Sequence, residues 1–144
     1  MRKGEELEIE ILGIKFPNKP FGVYEDMTVY PKGNCLPGQV ITGNIKKMRK
    51  GKLELGDIKV LKKAENEIDG ECVHFDFCGG CTYQNLSYED QVSLKEKQIR
   101  NLLVNRLGEN VNFHGVIPAK KQFEYRNKME MTFGNEEING PLTL

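Results

Sequence analysis

The chain has 144 residues, of which 38% are hydrophobic and 29% are charged. A chain of this size and composition suits one medium domain or two small ones. It contains no apolar run of about 18 residues, and its start lacks the apolar stretch of a secretory signal. We therefore expect a cytoplasmic protein with no membrane partner, in which the four cysteines favour metal binding or catalysis over disulfides.

The zero net charge hides an asymmetry between the two halves of the chain. Residues 1–64 carry 13 basic and 8 acidic side chains, whereas residues 65–144 carry 8 and 13. A dense basic run in the first half predicts a loop that binds RNA phosphates, although a merely solvated loop has the same composition. The predicted RNA-binding residues in this run are Lys46, Lys47, Arg49, Lys50 and Lys52.

The pattern of residues 1–63 predicts an all-β domain. Leu7, Ile9 and Ile11 alternate with glutamates, which indicates a half-buried strand. Turns are predicted at Pro17, 20–22, 31–33 and 36–38, and further strands at 27–30, 40–42 and 58–61. This spacing favours a small barrel of the oligonucleotide-binding (OB) type, with the basic run as a loop between the later strands.

Residues 64–71 are polar and acidic and are interpreted as a linker. Ser87 followed by Asp90 predicts the start of a helix, and Gly108 predicts its end. An apolar stripe at helical spacing is expected to pack in a core; it comprises Val92, Ile99, Leu102, Leu103 and Leu107.

Strands are predicted after the helix at 111–117 and 125–133, with a turn at 135–140. A further strand would begin at 141–144, so we interpret the chain as ending in mid-pattern.

The most specific feature of the sequence is a C-x5-C-x2-C run formed by Cys72, Cys78 and Cys81. Closely spaced thiolates can hold zinc or an iron–sulfur cluster, each of which takes four ligands. The residues alone do not decide which metal centre is bound or which residue is its fourth ligand. His74 would complete a zinc set, but Cys-x-His is tighter than the usual zinc spacing. Cys35 is the other candidate, although such a cysteine is more often a small buried apolar residue.

Two motifs resemble segments of the RNA uracil-5 methyltransferases. The run C-x5-C-G-G-C-x-x-Q-x-L-x-Y-x-x-Q-x-x-x-K, from Cys72 to Lys95, resembles their iron–sulfur signature. The run YRNKMEMTFG, from Tyr125 to Gly134, resembles the segment that opens their catalytic part. The N-terminal half, with LPGQV at 36–40 and the basic run after it, looks like their TRAM domain.

The resemblance implies three regions along the chain. Residues 1–63 would form a five-stranded, OB-like TRAM barrel that binds RNA, and residues 64–86 a linker with the iron–sulfur cysteine loop. Residues 87–144 would form one α-helix and the first strands of a truncated α+β domain.

The resemblance also implies a [4Fe–4S] cluster held by Cys72, Cys78 and Cys81, with a fourth cysteine beyond Leu144. Within the second motif, Arg126 and Lys128 become candidate RNA contacts, and Tyr125 a stacking or core residue. With one ligand missing, we expect the loop at 71–85 to be poorly ordered or held by a substitute contact.

Catalysis is expected outside this chain, which contains no recognisable nucleophilic triad, phosphate loop or G-x-G-x-x-G turn. In the family, a cysteine attacks C6 of uracil, the methyl group of S-adenosylmethionine moves to C5, and a carboxylate removes the C5 proton. These residues, and those that bind S-adenosylmethionine, lie in a C-terminal Rossmann-like domain. We therefore expect an N-terminal part, inactive alone, of a 23S ribosomal RNA (uracil-5-)-methyltransferase.

Ribosomal RNA is the expected partner, because transfer-RNA members of the family usually lack both the TRAM domain and the cluster; no obligate protein partner is evident. The main alternative is a stand-alone, zinc-stabilised RNA-binding module without catalysis. A radical S-adenosylmethionine methylthiotransferase fits less well, since its motif is C-x3-C-x2-C and its TRAM domain follows the catalytic part.

Overall fold

The computed structural model describes residues 1–75, 80–125, 127–128, 134–135 and 140–143. Its elements are β1 (Glu6–Glu10), β2 (Gly13–Lys15), β3 (Lys19–Tyr24), β4 (Met27–Pro31), β5 (Val40–Arg49), β6 (Lys52–Lys62), α1 (Tyr88–Leu107), β7 (Gly134–Asn135) and β8 (Leu142–Thr143). Strands therefore dominate the first part of the chain, and the helix follows them. Within these described ranges, no helix is both long and apolar enough to cross a membrane.

Six strands form one sheet in the order β1-β5-β6-β4-β3-β2. Neighbouring strands are antiparallel except β4 and β6, which are parallel. The two strands at the ends of this order, β1 and β2, follow each other in the chain with only residues 11 and 12 between them. The Leu12 N–H donates to the Phe21 carbonyl of β3 at 2.9 Å. Because its two edges are consecutive segments of one chain, the sheet curls into a barrel-like domain.

The core of this domain confirms the alternation predicted for the first strand. Leu7 and Ile9 of β1 are buried, while the glutamates between and beside them are exposed. Gly22 allows β3 to approach the end of β1, because a Cβ at this position would lie 2.4 Å from the Glu10 carbonyl oxygen. The buried core residues are Leu7, Ile9, Ile11, Val29, Cys35, Ile41, Ile45, Leu53 and Leu55.

The predicted turn at 20–22 is wrong, because those residues lie within β3. The chain reverses instead at 16–18, where Asn18 has a φ of 50°. Pro and Gly favour turns locally, but here Pro20 and Gly22 are both buried in the sheet. No strand was predicted where β2 and β3 lie, whereas the strands predicted at 27–30, 40–42 and 58–61 are confirmed within longer elements.

The side chain of Glu67 attaches the segment 64–71, which was interpreted as a linker, to the sheet. The Glu67 carboxylate accepts hydrogen bonds from Gln39 Nε2 at 2.8 Å, from the Ala64 N–H at 3.0 Å and from Asn85 Nδ2 at 3.1 Å. Gln39 is only 2% exposed. Glu67 therefore joins the sheet, the segment after it and the end of the cysteine loop.

The predicted limits of the helix are confirmed, but its predicted core stripe is not. Ser87 Oγ accepts from the Asp90 N–H at 3.1 Å, and Gly108 ends the helix with a φ of 88°. The buried residue of α1 is Gln98. The apolar stripe is only half-buried, and Leu107 at its end is 69% exposed. Helical spacing identified the apolar face correctly, but the described residues do not cover it.

The predictions after the helix have mixed outcomes. Residues 111–117 form no strand, contrary to expectation. The strand predicted at 125–133 falls mostly outside the described residues, as does the turn predicted at 135–140. The strand expected at 141–144 is confirmed by β8, which pairs with β7 in antiparallel fashion.

Candidate nucleic-acid interface and cysteine loop

A groove of about 970 Å³ opens on one side of the sheet. Two turns flank it: residues 16–18, which join β2 to β3, and Lys50 with Gly51, which join β5 to β6. The end of β4 and the start of β6 supply further lining residues. We call this feature the basic groove; it is lined by Lys15, Phe16, Asn18, Lys19, Pro20, Tyr30, Pro31, Lys32, Gly33, Asn34, Lys47, Arg49, Lys50, Lys52, Leu53 and Glu54.

The charge of the basic groove is strongly positive, since it has seven basic residues and a single carboxylate. That carboxylate, Glu54, pairs with Lys32 Nζ at 2.8 Å. The hydrogen bond from Lys32 lowers the pKa of Glu54, so the pair stays ionised and close to neutral. None of the other six basic residues forms a direct ion pair with a carboxylate within the described part of the chain. Lys47 lies opposite Glu54 in the strand register, and its charge also lowers the pKa of Glu54. A groove of this kind favours a polyanion.

The predicted RNA-binding residues on β5 differ in their contacts. Lys47 and Arg49 line the basic groove. Lys46 does not, and its ammonium group pairs with the Asp57 carboxylate. That carboxylate also accepts from Asn44 Nδ2 at 3.2 Å. Lys46 is therefore engaged within the protein and is not part of the groove lining.

The basic run is the tip of a β-hairpin and not the loop that its composition predicted. Met48 pairs with Leu53, and Arg49 pairs with Lys52, across the two strands. Only two residues form the turn, and both have positive φ: 40° at Lys50 and 73° at Gly51. Two-residue turns with this geometry match the twist of a hairpin, and glycine adopts the second conformation without steric penalty. The hairpin thus holds Arg49, Lys50 and Lys52 at one end of the groove.

Aromatic side chains at the other end were missed by the sequence analysis. Phe16 is 50% exposed at the turn that precedes β3. Lys15 Nζ lies 4.5 Å from the centroid of the Phe21 ring and 5.7 Å from that of Tyr30. Two lysines flank an aromatic residue in the run KFPNK at 15–19, and this grouping is the signal that could have identified Lys15, Phe16 and Lys19.

The described part of the cysteine loop is organised around Gln84. Gln84 Nε2 donates to Cys81 Sγ at 3.3 Å, and its Oε1 accepts from the Cys72 N–H at 3.1 Å. Both cysteines are free thiols at the surface. Cys78 lies outside the described residues, within which no three potential metal ligands come together. One side chain therefore connects two of the three predicted ligands.

Cys35 does not join this loop. It is 2% exposed within the core of the sheet, and burial raises the pKa of its thiol to about 11. A thiol held in this form is a poor metal ligand at neutral pH. The interpretation of Cys35 as a small buried apolar residue is confirmed.

The remaining predicted site residues lie near the end of the chain. Arg126 is outside the described residues, and Lys128 is exposed. Tyr125 is 60% exposed, so it is not a core residue of the described part.

Comparison with known proteins gives relatives that are named as RNA methyltransferases. No family model matches the chain. Over 144 residues the chain is 36% identical to an uncharacterized RNA methyltransferase of Clostridium tetani and 36% identical to one of Clostridium acetobutylicum. The chain is similar to RNA methyltransferases along its whole length. A third, from Caldanaerobacter subterraneus subsp. tengcongensis, is 37% identical over 136 residues, or 94% of this chain.

The relatives are much longer than the region they share with this chain. The chain corresponds to 31% of the length of each clostridial protein and to 30% of the third relative. It therefore spans about a third of the curated relatives that it matches.

Proposed function

We propose that this chain is the RNA-binding and [4Fe–4S] portion of an S-adenosylmethionine-dependent 23S ribosomal RNA (uracil-5-)-methyltransferase, which forms 5-methyluridine. The observation that carries the proposal is the basic groove, whose described lining has seven basic residues and a single carboxylate. Similarity to RNA methyltransferases supports RNA as the polyanion that this groove binds. Because the chain spans about a third of those relatives, the proposal assigns methyl transfer to residues outside it.

The order of strands supports an OB-like assignment of the sheet. If β1 and β2 are counted as one bent strand, the sheet has five strands, of which the first pairs with the second and the fourth. OB barrels bind oligonucleotides with the face of strands two and three and with the loops between strands one and two and between strands four and five. In this chain those loops are the turns at 16–18 and 50–51, which are the two turns that flank the basic groove.

The chemistry of the groove favours a single-stranded RNA segment. Lysine and arginine neutralise phosphates along a backbone, and exposed aromatic rings stack on unpaired bases. Lys47 and Arg49 supply the first function on β5, and Phe16 is available for the second at the opposite turn. A base-paired helix would present neither face of its bases to Phe16.

The cysteine loop fits an iron–sulfur cluster by the chemistry of its donors. Cys72, Cys78 and Cys81 would supply three thiolates, and the fourth ligand would come from outside this chain. The amide of Gln84 already donates to the sulfur of Cys81, which is the type of contact that tunes clusters. When bound, the cluster would supply a rigid cross-link, since methyl transfer to uracil moves no single electrons. The residues of this chain would then bind and orient the RNA.

The cofactor part of the proposal is tested by metal analysis of the gene product, purified without oxygen. We expect iron and acid-labile sulfide in equal amounts, both lost in the Cys72→Ser and Cys81→Ser variants and both retained in Cys35→Ala. One zinc ion per chain with no iron would contradict the cluster and favour the alternative of a zinc-stabilised RNA-binding module.

The reaction is tested with 23S ribosomal RNA that carries tritium at C5 of uracil. Methylation at C5 replaces that hydrogen, so addition of S-adenosylmethionine should release tritium to water in step with methyl incorporation. Methyl incorporation without release of tritium would place the reaction at another atom and overturn the uracil-5 assignment.

A further inference from the structure

We infer that Tyr83 couples the cysteine loop to the rim of the basic groove, so that metal binding at the loop strengthens RNA binding. The inference rests on the proposed function, because it needs the groove to bind RNA and the loop to bind metal. It concerns the contact between two residues, Tyr83 and Asn18.

The contact itself is a hydrogen bond between distant parts of the sequence. Tyr83 Oη donates to Asn18 Oδ1 at 2.9 Å. Asn18 belongs to the turn at 16–18 and lines the basic groove, between Phe16 and Lys19. Tyr83 follows Cys81 by two residues. The bond thus joins the loop of predicted metal ligands directly to the turn that carries the exposed aromatic ring.

Tyr83 is held firmly on its own side of this contact. It is 6% exposed, and it packs in an apolar cluster with Leu36, Ala64 and Leu86. Ile14, in the middle of β2, packs against the same cluster. Movement of this part of the loop would therefore be transmitted to the strand that leads into the groove turn.

Asn18 is less firmly held, and this difference gives the contact its importance. The residue is exposed, and its φ of 50° lies in the left-handed region that asparagine tolerates better than most residues. The hydrogen bond from Tyr83 fixes its side chain and, through it, a turn of only three residues. Phe16 and Lys19 on either side would lose a defined position without that bond.

A bound metal would act on the same chain segment through Cys81. At present Gln84 connects Cys81 to Cys72, and Gln84 is the neighbour of Tyr83 in sequence. Ligation of Cys81 would restrict the segment that carries both Tyr83 and Gln84. Restricting a segment before RNA binds removes part of the ordering entropy that binding would otherwise lose.

The first test removes the hydroxyl alone. For Tyr83→Phe in the metal-loaded gene product, we expect about 3- to 10-fold weaker binding of a uridine-rich single-stranded RNA, the equivalent of one hydrogen bond. The dependence of affinity on salt should not change, because no phosphate contact is lost. Tyr24→Phe is the matched control, since Tyr24 packs against the sheet core and does not line the groove.

The partner residue and the metal supply the second and third tests. Asn18→Ala should weaken binding by the same factor, and the double variant with Tyr83→Phe should bind no worse than either single variant. Removing the metal with a chelator should weaken RNA binding by the wild-type protein, and should weaken binding by Tyr83→Phe less.

The possible outcomes separate the inference from the proposed function. Wild-type protein that binds RNA equally well with and without metal would overturn the coupling and leave the groove assignment intact. The same holds if Tyr83→Phe and Asn18→Ala both bind RNA like the wild type. Failure of the loaded wild-type protein to bind single-stranded RNA would overturn the proposed function, and the inference with it. Thermal unfolding of each variant distinguishes weaker binding from loss of the fold, and Asn18→Ala replaces Tyr83→Phe if the latter is unfolded.

Discussion

Lys46 and Lys47 are adjacent in sequence, at a point where the register of β5 with β6 shifts, yet they make different contacts. Lys47 lines the basic groove, whereas Lys46 pairs with Asp57 outside it. One basic run thus supplies both an internal ion pair and a residue of the groove. The two lysines therefore form a matched pair of positions for testing the groove.

Replacing Lys47 by alanine should weaken binding of single-stranded RNA and reduce its salt dependence, because one phosphate contact is lost. The slope of log affinity against log salt should become smaller by about 0.7. Lys46→Ala removes the same charge from the protein and should change neither quantity appreciably. Equal effects of the two substitutions, measured by fluorescence anisotropy over a range of salt concentrations, would show that net charge and not the groove governs binding.

Replacing Phe16 by alanine should weaken RNA binding without changing its salt dependence, since the ring stacks on bases and carries no charge. Loss of one base–aromatic stack corresponds to about 1–3 kcal/mol. Leu12→Ala is the control, because Leu12 is 56% exposed but does not line the groove. Phe16→Tyr should retain most of the affinity. An unchanged affinity for Phe16→Ala would show that Phe16 does not stack on RNA bases.

Replacing Glu67 by alanine should destabilise the protein, because three donors lose their common acceptor. Gln39 and Asn85 would lose their contacts in partly buried surroundings. We expect a loss of about 2–4 kcal/mol in the free energy of unfolding. Glu65→Ala, at an exposed neighbouring position, should change it by less than about 0.5 kcal/mol. Chemical denaturation measures both variants, and similar values for the two would contradict the anchoring role of Glu67.

Stability should fall as the pH rises from about 9 to about 11, because of the buried thiol of Cys35. The pKa of this thiol is about 11 in the folded protein, above its ordinary value of 9.0. Between those values the folded state binds more protons than the unfolded state, so raising the pH favours unfolding. The total loss is up to about 3 kcal/mol. Cys35→Ala should show a smaller fall over the same range, and an identical fall in both proteins would exclude Cys35 as its cause.

The sequence predicted those parts of the fold that depend on local pattern. The alternation from Leu7 to Ile11 and the helix between Ser87 and Gly108 follow from periodicity and capping, which are local properties. The groove turn could not be predicted in this way. Whether Pro20 and Gly22 form a turn or a buried strand depends on the approach of β3 to β1, which is a tertiary contact.

Composition predicted which residues form the candidate site, and the structure changed which of them line the groove. The density of basic residues identified Lys47 and Arg49, but it could not separate them from Lys46, because the ion pair of Lys46 with Asp57 is a contact between two strands. Lys15 and Phe16 were missed because they are distant in sequence from the basic run. The contact between Tyr83 and Asn18 spans 65 residues, and no local pattern could indicate it.

The most direct test of the basic groove as the RNA-binding surface is cross-linking with a single-stranded RNA that contains 4-thiouridine. After irradiation, proteolysis and mass spectrometry identify the attached peptides. The account predicts cross-links in the three segments that contain the lining residues of the groove, 15–20, 30–34 and 47–54. Cross-links confined to the segment 56–62, which does not line the groove, would contradict it.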